Sequence, residues 1–238
     1  MAHVLVAHDS ETIRDLVSRL LREAGYQVTS VAEGHEALAA LDHRPDALVL
    51  DVALPGVFCW EVLGKVKERG LATKSILIAS IYNRAGYKRR PTSLYGADDY
   101  VEQHHIPDLL LIKLAKLVGG PIPDGKQIDA AVAEETDRIR DASEARLRIR
   151  YATRDEGLMR AKRLARLIVA DIALYNRDLA FLGEDERQAR LREDLEEGRL
   201  LFELRVPHEL RESHDFVAEA LEEWLHEARR GGPRGEGG

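Results

Sequence analysis

The strongest constraint on this chain is an alternation of two periodicities over its first hundred or so residues. Val4-Leu5-Val6-Ala7 is a continuous apolar run, as a strand buried on both faces requires. Residues 11–24 then place Ile13, Leu16, Val17, Leu20 and Leu21 at helical spacing, and Gly25 ends the pattern. The cycle repeats. Val28–Val31, Ala47–Leu50, Ser75–Ala79 and Asp99–Val101 read as strands, while residues 34–42, 60–69 and 107–118 read as helices. Residues 85–95 predict a further helix, with Pro91 arguing for a broken or late start. Five strand–helix pairs with short connections predict an α/β domain: a doubly wound, five-stranded parallel sheet covered on both faces. In such a sheet the functional crevice lies beyond the C-terminal ends of the strands.

Gly119-Gly120-Pro121-Ile122-Pro123-Asp124-Gly125 breaks the alternation. We therefore expect a first domain over 1–120, a Gly/Pro linker over 121–125, an all-α domain over 126–230 and a disordered tail over 231–238. Residues 126–150 carry an incomplete apolar stripe (Ile128, Val132, Ile139, Ala142, Ile149). Glu135 and Arg146 interrupt it, short of what a coiled-coil seam needs. Thr153 and Glu156 have capping-box spacing ahead of the most apolar helix of this half, which runs to Tyr175. Leu158, Met159, Leu164, Leu167, Ile168, Val169 and Ile172 are its expected core positions. Charge sharpens the division. Residues 1–120 hold 14 basic against 15 acidic side chains, a net of −1, and residues 121–238 hold 21 against 27, a net of −6. A duplex reader needs a concentrated basic surface, so the acidic second half argues against DNA. Arg160, Lys162, Arg163 and Arg166 read as the wet side of an amphipathic helix. No apolar run approaches the roughly 18 residues of a membrane span, and the N-terminus lacks a secretory signal. The single cysteine, Cys59, excludes an intrachain disulfide and reads as a packing residue. A cytoplasmic protein is the expectation.

The strand ends carry the informative residues. His8-Asp9-Ser10 follows strand one, Asp51-Val52-Ala53-Leu54-Pro55-Gly56 follows strand three, and Ser80 follows strand four. Gly96-Ala97-Asp98-Asp99-Tyr100-Val101-Glu102-Gln103 surrounds strand five. Over residues 2–119 this set resembles the receiver domain of two-component response regulators, of the chemotaxis-regulator-like kind with a flavodoxin-like fold. The resemblance implies a phosphorelay protein and a histidine kinase as partner. Asp51 would accept a phosphoryl group. Asp9, Asp51 and the Ala53 carbonyl would hold Mg2+, which neutralises phosphoryl oxygens and prefers oxygen ligands. Ser80 would hydrogen-bond the phosphoryl group, and Tyr100 would act as the switch aromatic. Beyond autophosphorylation, no enzymatic activity is implied.

Two positions depart from the family pattern. His8 replaces the first acid of the metal-binding pair, which weakens the site for a hard cation. Gln103 replaces the lysine that pairs with the phosphoryl group, and an amide donates a hydrogen bond but no charge. An imidazolium at His8 beside Asp9 and Asp51 would take over the metal's charge. Two readings of different class therefore stand: a phosphorylated switch with a helical output domain for protein contact or dimerisation, and a phosphorylation-independent adaptor built on a degenerate receiver. A transcription regulator is the weaker third. His104 and His105, adjacent and without a Cys or acidic partner at ligand spacing, predict no metal site. Arg84, Lys88, Arg89 and Arg90 form a basic patch that reads first as a solvated face and second as a surface for an acidic partner.

Overall fold

A computed structural model describes residues 1–79, 91, 94–120, 153–176, 179–212 and 214–231. Ser80, the basic patch at 84–90, the linker at 121–125, the helix expected over 126–150 and the tail after Gly231 lie outside the described residues. The chain divides into two compact units. One holds 1–80 and 94–145, the other 81–93 and 146–238.

The first unit contains β1 (His3–Ala7), α1 (Glu11–Glu23), β2 (Gln27–Val31), α2 (Gly34–Ala40), β3 (Ala47–Asp51), α3 (Cys59–Glu68), β4 (Lys74–Ala79), β5 (Asp99–Glu102) and α4 (Ile106–Val118). The five strands form one parallel sheet in the order β2-β1-β3-β4-β5. The all-apolar runs occupy the sheet interior: every residue of β3 is buried, whereas β2, at one edge, is only partly covered. Alternate side chains serve opposite faces. Val4, Val6, Val49, Ile76 and Ile78 pack with Ile13, Val17 and Leu21 of α1 and Leu110 and Leu114 of α4. Leu5, Leu48, Leu50 and Leu77 are fully buried on the other side, where α2 packs on β1 and α3 on α2. Each such side chain contributes about 1.5–3 kcal/mol of burial free energy.

Register positions the crevice. Ala7 pairs with Leu50 across β1 and β3, so His8 and Asp51 stand side by side one residue further on. The loop after Asp51 is tied to α2. Gly34 N–H donates to the Pro55 carbonyl at 2.8 Å, and a Cβ on Gly34 would lie 2.6 Å from Val57 Cβ. Only glycine permits that approach.

Local details differ from expectation at three places. The helix over 34–42 tightens at Leu41–His43 into a 3-10 turn and ends on Arg44 in the left-handed region, φ 48°. Pro45 disfavours continuation. Tyr95 does not end a helix: it has φ 52° in a turn closed by Ala97 N–H to the Leu94 carbonyl at 2.8 Å. A second 3-10 turn, Gln103–His105, sits between β5 and α4, and Pro107 lies in α4's first turn, where its missing N–H is harmless.

The described part of the second unit is helical: α5 (Arg154–Tyr175), a 3-10 turn (Leu179–Phe181), α6 (Glu184–Arg205), α7 (His208–Arg211) and α8 (Phe216–Gly231). Gly231, expected to open the tail, closes α8. Thr153 caps α5 by accepting the Glu156 N–H at 3.2 Å, as the spacing predicted. Leu164, Leu167, Ile168, Val169 and Ile172 are buried, but Met159 is 66% exposed. Gly157 and Ala161 on either side are buried, whereas Met159 shares its helix face with exposed Lys162 and Arg163, three and four residues on. Gly198 lets α6 approach α5, since a Cβ there would meet Ile168 Cγ2 at 2.7 Å. A buried polar link joins the same helices. Asn176 Nδ2 donates to the Ile172 carbonyl at 2.8 Å and to Asp194 Oδ2 at 2.9 Å. Among the described residues no helix is long and apolar enough to cross a membrane.

Candidate functional site

The ends of β1 and β3 bring His8, Asp9 and Asp51 together, with one ligand-capable atom from each lying within 4.8 Å of the others. All three side chains are almost wholly shielded. His8 Nδ1 lies 3.3 Å from Asp9 Oδ1, and Nε2 lies 3.9 Å from Asp51 Oδ2. The backbone fixes the ring. His8 N–H donates to the Val31 carbonyl at 3.1 Å, and Arg14 Nη1 of α1 donates to the His8 carbonyl at 2.8 Å. Ser10 N–H donates to His8 Nδ1 at 3.0 Å. Nδ1 thus faces both a backbone N–H and the Asp9 carboxylate, while Nε2 faces Asp51. Asp51 Oδ1 accepts the Ala53 N–H at 3.3 Å.

The donor set does not suit Mg2+. That ion asks for hard oxygens in a near-octahedral shell and retains several waters. Here an imidazole N–H occupies the space beside two carboxylates in a buried pocket. Asp51 also acts on Cys59 at the start of α3. Burial first, and then the Asp51 charge, push the Cys59 thiol far above its usual range. The cysteine is fully buried and packs, as expected.

The other sequence-predicted residues lie around β5. Tyr100 is half-buried, and Lys113 Nζ of α4 sits 5.2 Å from its ring centroid. Gln103 is buried in the 3-10 turn after β5. Two residues carry roles that the sequence reading missed. Asp98 ties the start of β5 to β4: Ser75 N–H and Oγ donate to Oδ2 at 2.8 and 3.2 Å, and Lys74 Nζ to Oδ1 at 3.0 Å. Burial alone would raise the Asp98 carboxyl, but these donors outweigh it and hold it below the usual range. Asp99 Oδ1 accepts from Lys113 Nζ and from Tyr100 N–H, both at 2.7 Å, which anchors the cation over Tyr100. Since aspartate beside aspartate reads only as a turn signal, nothing local marked these partners.

The histidine pair also differs from expectation. Acidic partners are present: Glu102 Oε2 lies 3.3 Å from His104 Nε2, and Asp108 Oδ2 lies 3.1 Å from His105 Nδ1. The His104 imidazole is held below its ordinary pKa, first by burial and then by His105. In the second unit the basic cluster on α5 is matched by acids. Arg160 pairs with Glu156 at 2.5 Å and Arg166 with Glu223 at 3.0 Å, as a solvated face would.

Comparison with known proteins agrees with the sheet order. The family model for the response regulator receiver domain matches residues 4–115. Transcriptional regulatory protein TcrA of Mycobacterium tuberculosis is 35% identical over 130 residues, covering 53% of this chain and 50% of its own. Response regulator SaeR of Staphylococcus aureus is 30% identical over 122 residues, covering 50% and 51%. The chain thus spans about half the length of these curated relatives. Among solved structures, the response regulator TrrA of Thermotoga maritima, in complex with Mg2+ and BeF, is 30% identical over 49% of this chain and 99% of its own, with a TM-score of 0.42. The family-model match and the β2-β1-β3-β4-β5 parallel sheet, which carries Asp51 at the end of its central strand, make residues 4–115 a response regulator receiver domain.

Proposed function

We propose that this receiver works in signalling as a protein-docking adaptor, independent of phosphorylation, in which His8 fills the space that a divalent cation would need. The observation that carries this reading is the buried imidazole with Nε2 3.9 Å from Asp51 Oδ2. Two further features support it. Gln103, buried at the family's lysine position, supplies no charge for a phosphoryl group, and the Asp51 side chain is wholly shielded. The helical unit beyond the 121–125 linker is then the contact element toward a protein partner, in the cytoplasm, with no DNA contact expected from its acidic balance.

A second reading keeps Asp51 as phosphoacceptor, with a histidine kinase as donor and Ser80 and Tyr100 as coupling residues. Its support is the position of Asp51, whose Oδ1 already accepts a backbone N–H at the end of β3. Asp9 and the Ala53 carbonyl would then be the remaining oxygen ligands. Intact-mass analysis after incubation with acetyl phosphate and Mg2+ separates the two. The adaptor reading expects no gain in the natural chain and a gain of one phosphoryl group in His8→Asp. A gain in the natural chain that disappears in Asp51→Asn establishes the phosphoacceptor instead.

A further inference from the structure

We propose that Glu102, His104 and His105 form a binding site for a borderline divalent transition metal, of which zinc is the type, at the junction of β5 and α4. The site is distinct from the Asp51 pocket. Strand β5 ends on Glu102 and the next three residues make a single 3-10 turn. That turn folds both imidazoles back beside the last strand residue. A carboxylate oxygen of Glu102 and one ring nitrogen from each histidine lie within 4.8 Å of one another. The two rings lie against each other, with centroids 4.1 Å apart and planes tilted by 42°. A tetrahedral zinc shell with bonds of about 2.0–2.2 Å needs its ligand atoms drawn only modestly closer than this.

The arrangement has the supporting contact that ligand imidazoles use. His105 Nδ1 lies 3.1 Å from Asp108 Oδ2 in the first turn of α4. With the proton on Nδ1, donated to that carboxylate, Nε2 is the nitrogen left with a lone pair for a metal. A carboxylate behind an imidazole in this way fixes the tautomer and raises ligand basicity. Two nitrogens and one carboxylate oxygen select zinc, nickel, copper or cobalt over magnesium or calcium. Charge is also in order: a cation at a helix N-terminus is disfavoured, but Glu102 and Asp108 supply two negative charges there. The side chains of His104 and His105 are 40% and 43% exposed, so a metal could reach them. Three protein ligands leave a fourth position for water or a donor from a partner. The ion would clamp the end of β5 to the turn that carries Gln103, and so stiffen the segment following Tyr100.

Isothermal titration of zinc chloride into the full chain tests the site, with cobalt as a spectroscopic probe. One zinc per chain is expected, and cobalt should give the visible ligand-field bands of a low-coordinate site. His104→Ala combined with His105→Ala should abolish saturable binding at this stoichiometry. Asp108→Asn should weaken it about 10–100-fold without removing a ligand. Glu102→Gln offers an independent variant should the double substitution disturb folding, and circular dichroism checks each protein. His226→Ala, at an exposed histidine of the second unit, should leave binding unchanged. Absence of saturable zinc binding, undiminished binding in a folded double variant, or loss in His226→Ala would each overturn the proposal.

Discussion

Replacing His8 with aspartate is the sharpest perturbation of the Asp51 pocket. The substitution removes the imidazole and sets three carboxylates at the ends of β1 and β3, inside a cluster whose ligand atoms already lie within 4.8 Å of each other. Two unit charges about 4 Å apart repel by about 4 kcal/mol at an effective dielectric constant near 20. Proton uptake by one carboxyl relieves part of this. A net loss of about 2–3 kcal/mol is therefore expected without metal, or a fall in melting temperature of roughly 10 °C for a domain of this size. The same three oxygen donors now suit Mg2+. At about 100 times its dissociation constant, the ion returns about 2.7 kcal/mol. Differential scanning calorimetry with and without magnesium reads both effects. The natural chain should melt at the same temperature in either buffer, and His8→Asp should melt lower in chelator and recover in magnesium. An equal magnesium-induced rise in the natural chain would refute the claim that His8 occupies the cation's space. A variant indifferent to magnesium would refute the claim that His8 is what excludes it.

Three further outcomes follow from the packing. Gly34→Ala should destabilise the first unit by about 1–3 kcal/mol in urea unfolding, because the new methyl meets Val57 Cβ at 2.6 Å and the chain must shift. Asp98→Asn should cost about 1.5–3 kcal/mol at neutral pH, as charged hydrogen bonds to Ser75 and Lys74 are lost. The Asp98 carboxyl is held below its ordinary range in the folded protein, so its contribution is present above the ordinary carboxyl pKa and lost as pH falls through the native pKa; urea midpoints of natural and variant chains should converge in acid. Asn176→Ala should destabilise the helical unit by about 1.5–3 kcal/mol, since the buried Asp194 loses an amide donor at 2.9 Å, measurable by thermal melting followed at 222 nm.

The sheet was legible because buried parallel strands have no polar face to maintain. Val4–Ala7, Ala47–Leu50 and Ser75–Ala79 could only read one way, and their ends then located His8 and Asp51. The orientation of the His8 ring was not legible, because it depends on a backbone N–H from Ser10 meeting Nδ1, a matter of loop conformation. The acids beside His104 and His105 escaped notice for a similar reason. Ligand spacing was judged along the chain, whereas a 3-10 turn and the first turn of α4 bring Glu102 and Asp108 to the rings. The anchoring of Asp98 by Lys74 and Ser75 is a relation between two strands more than twenty residues apart. Met159 is apolar but lies on the face of α5 that carries Lys162 and Arg163, so hydrophobicity at a single position did not mark the core side.

The order of the sheet also sets how the two metal-capable clusters can fluctuate. His8 and Asp51 leave from β1 and β3, strands flanked on both sides by hydrogen-bonded neighbours. Interior strands open only with the unfolding of the whole unit. The Asp51 pocket thus has no inexpensive partly open form for a slow reagent to capture. Glu102 ends β5, an edge strand with a single neighbour. Its junction can fray and re-form while the rest of the sheet keeps its pairing. A single domain thereby carries one cluster with the persistence of its core and another able to respond alone.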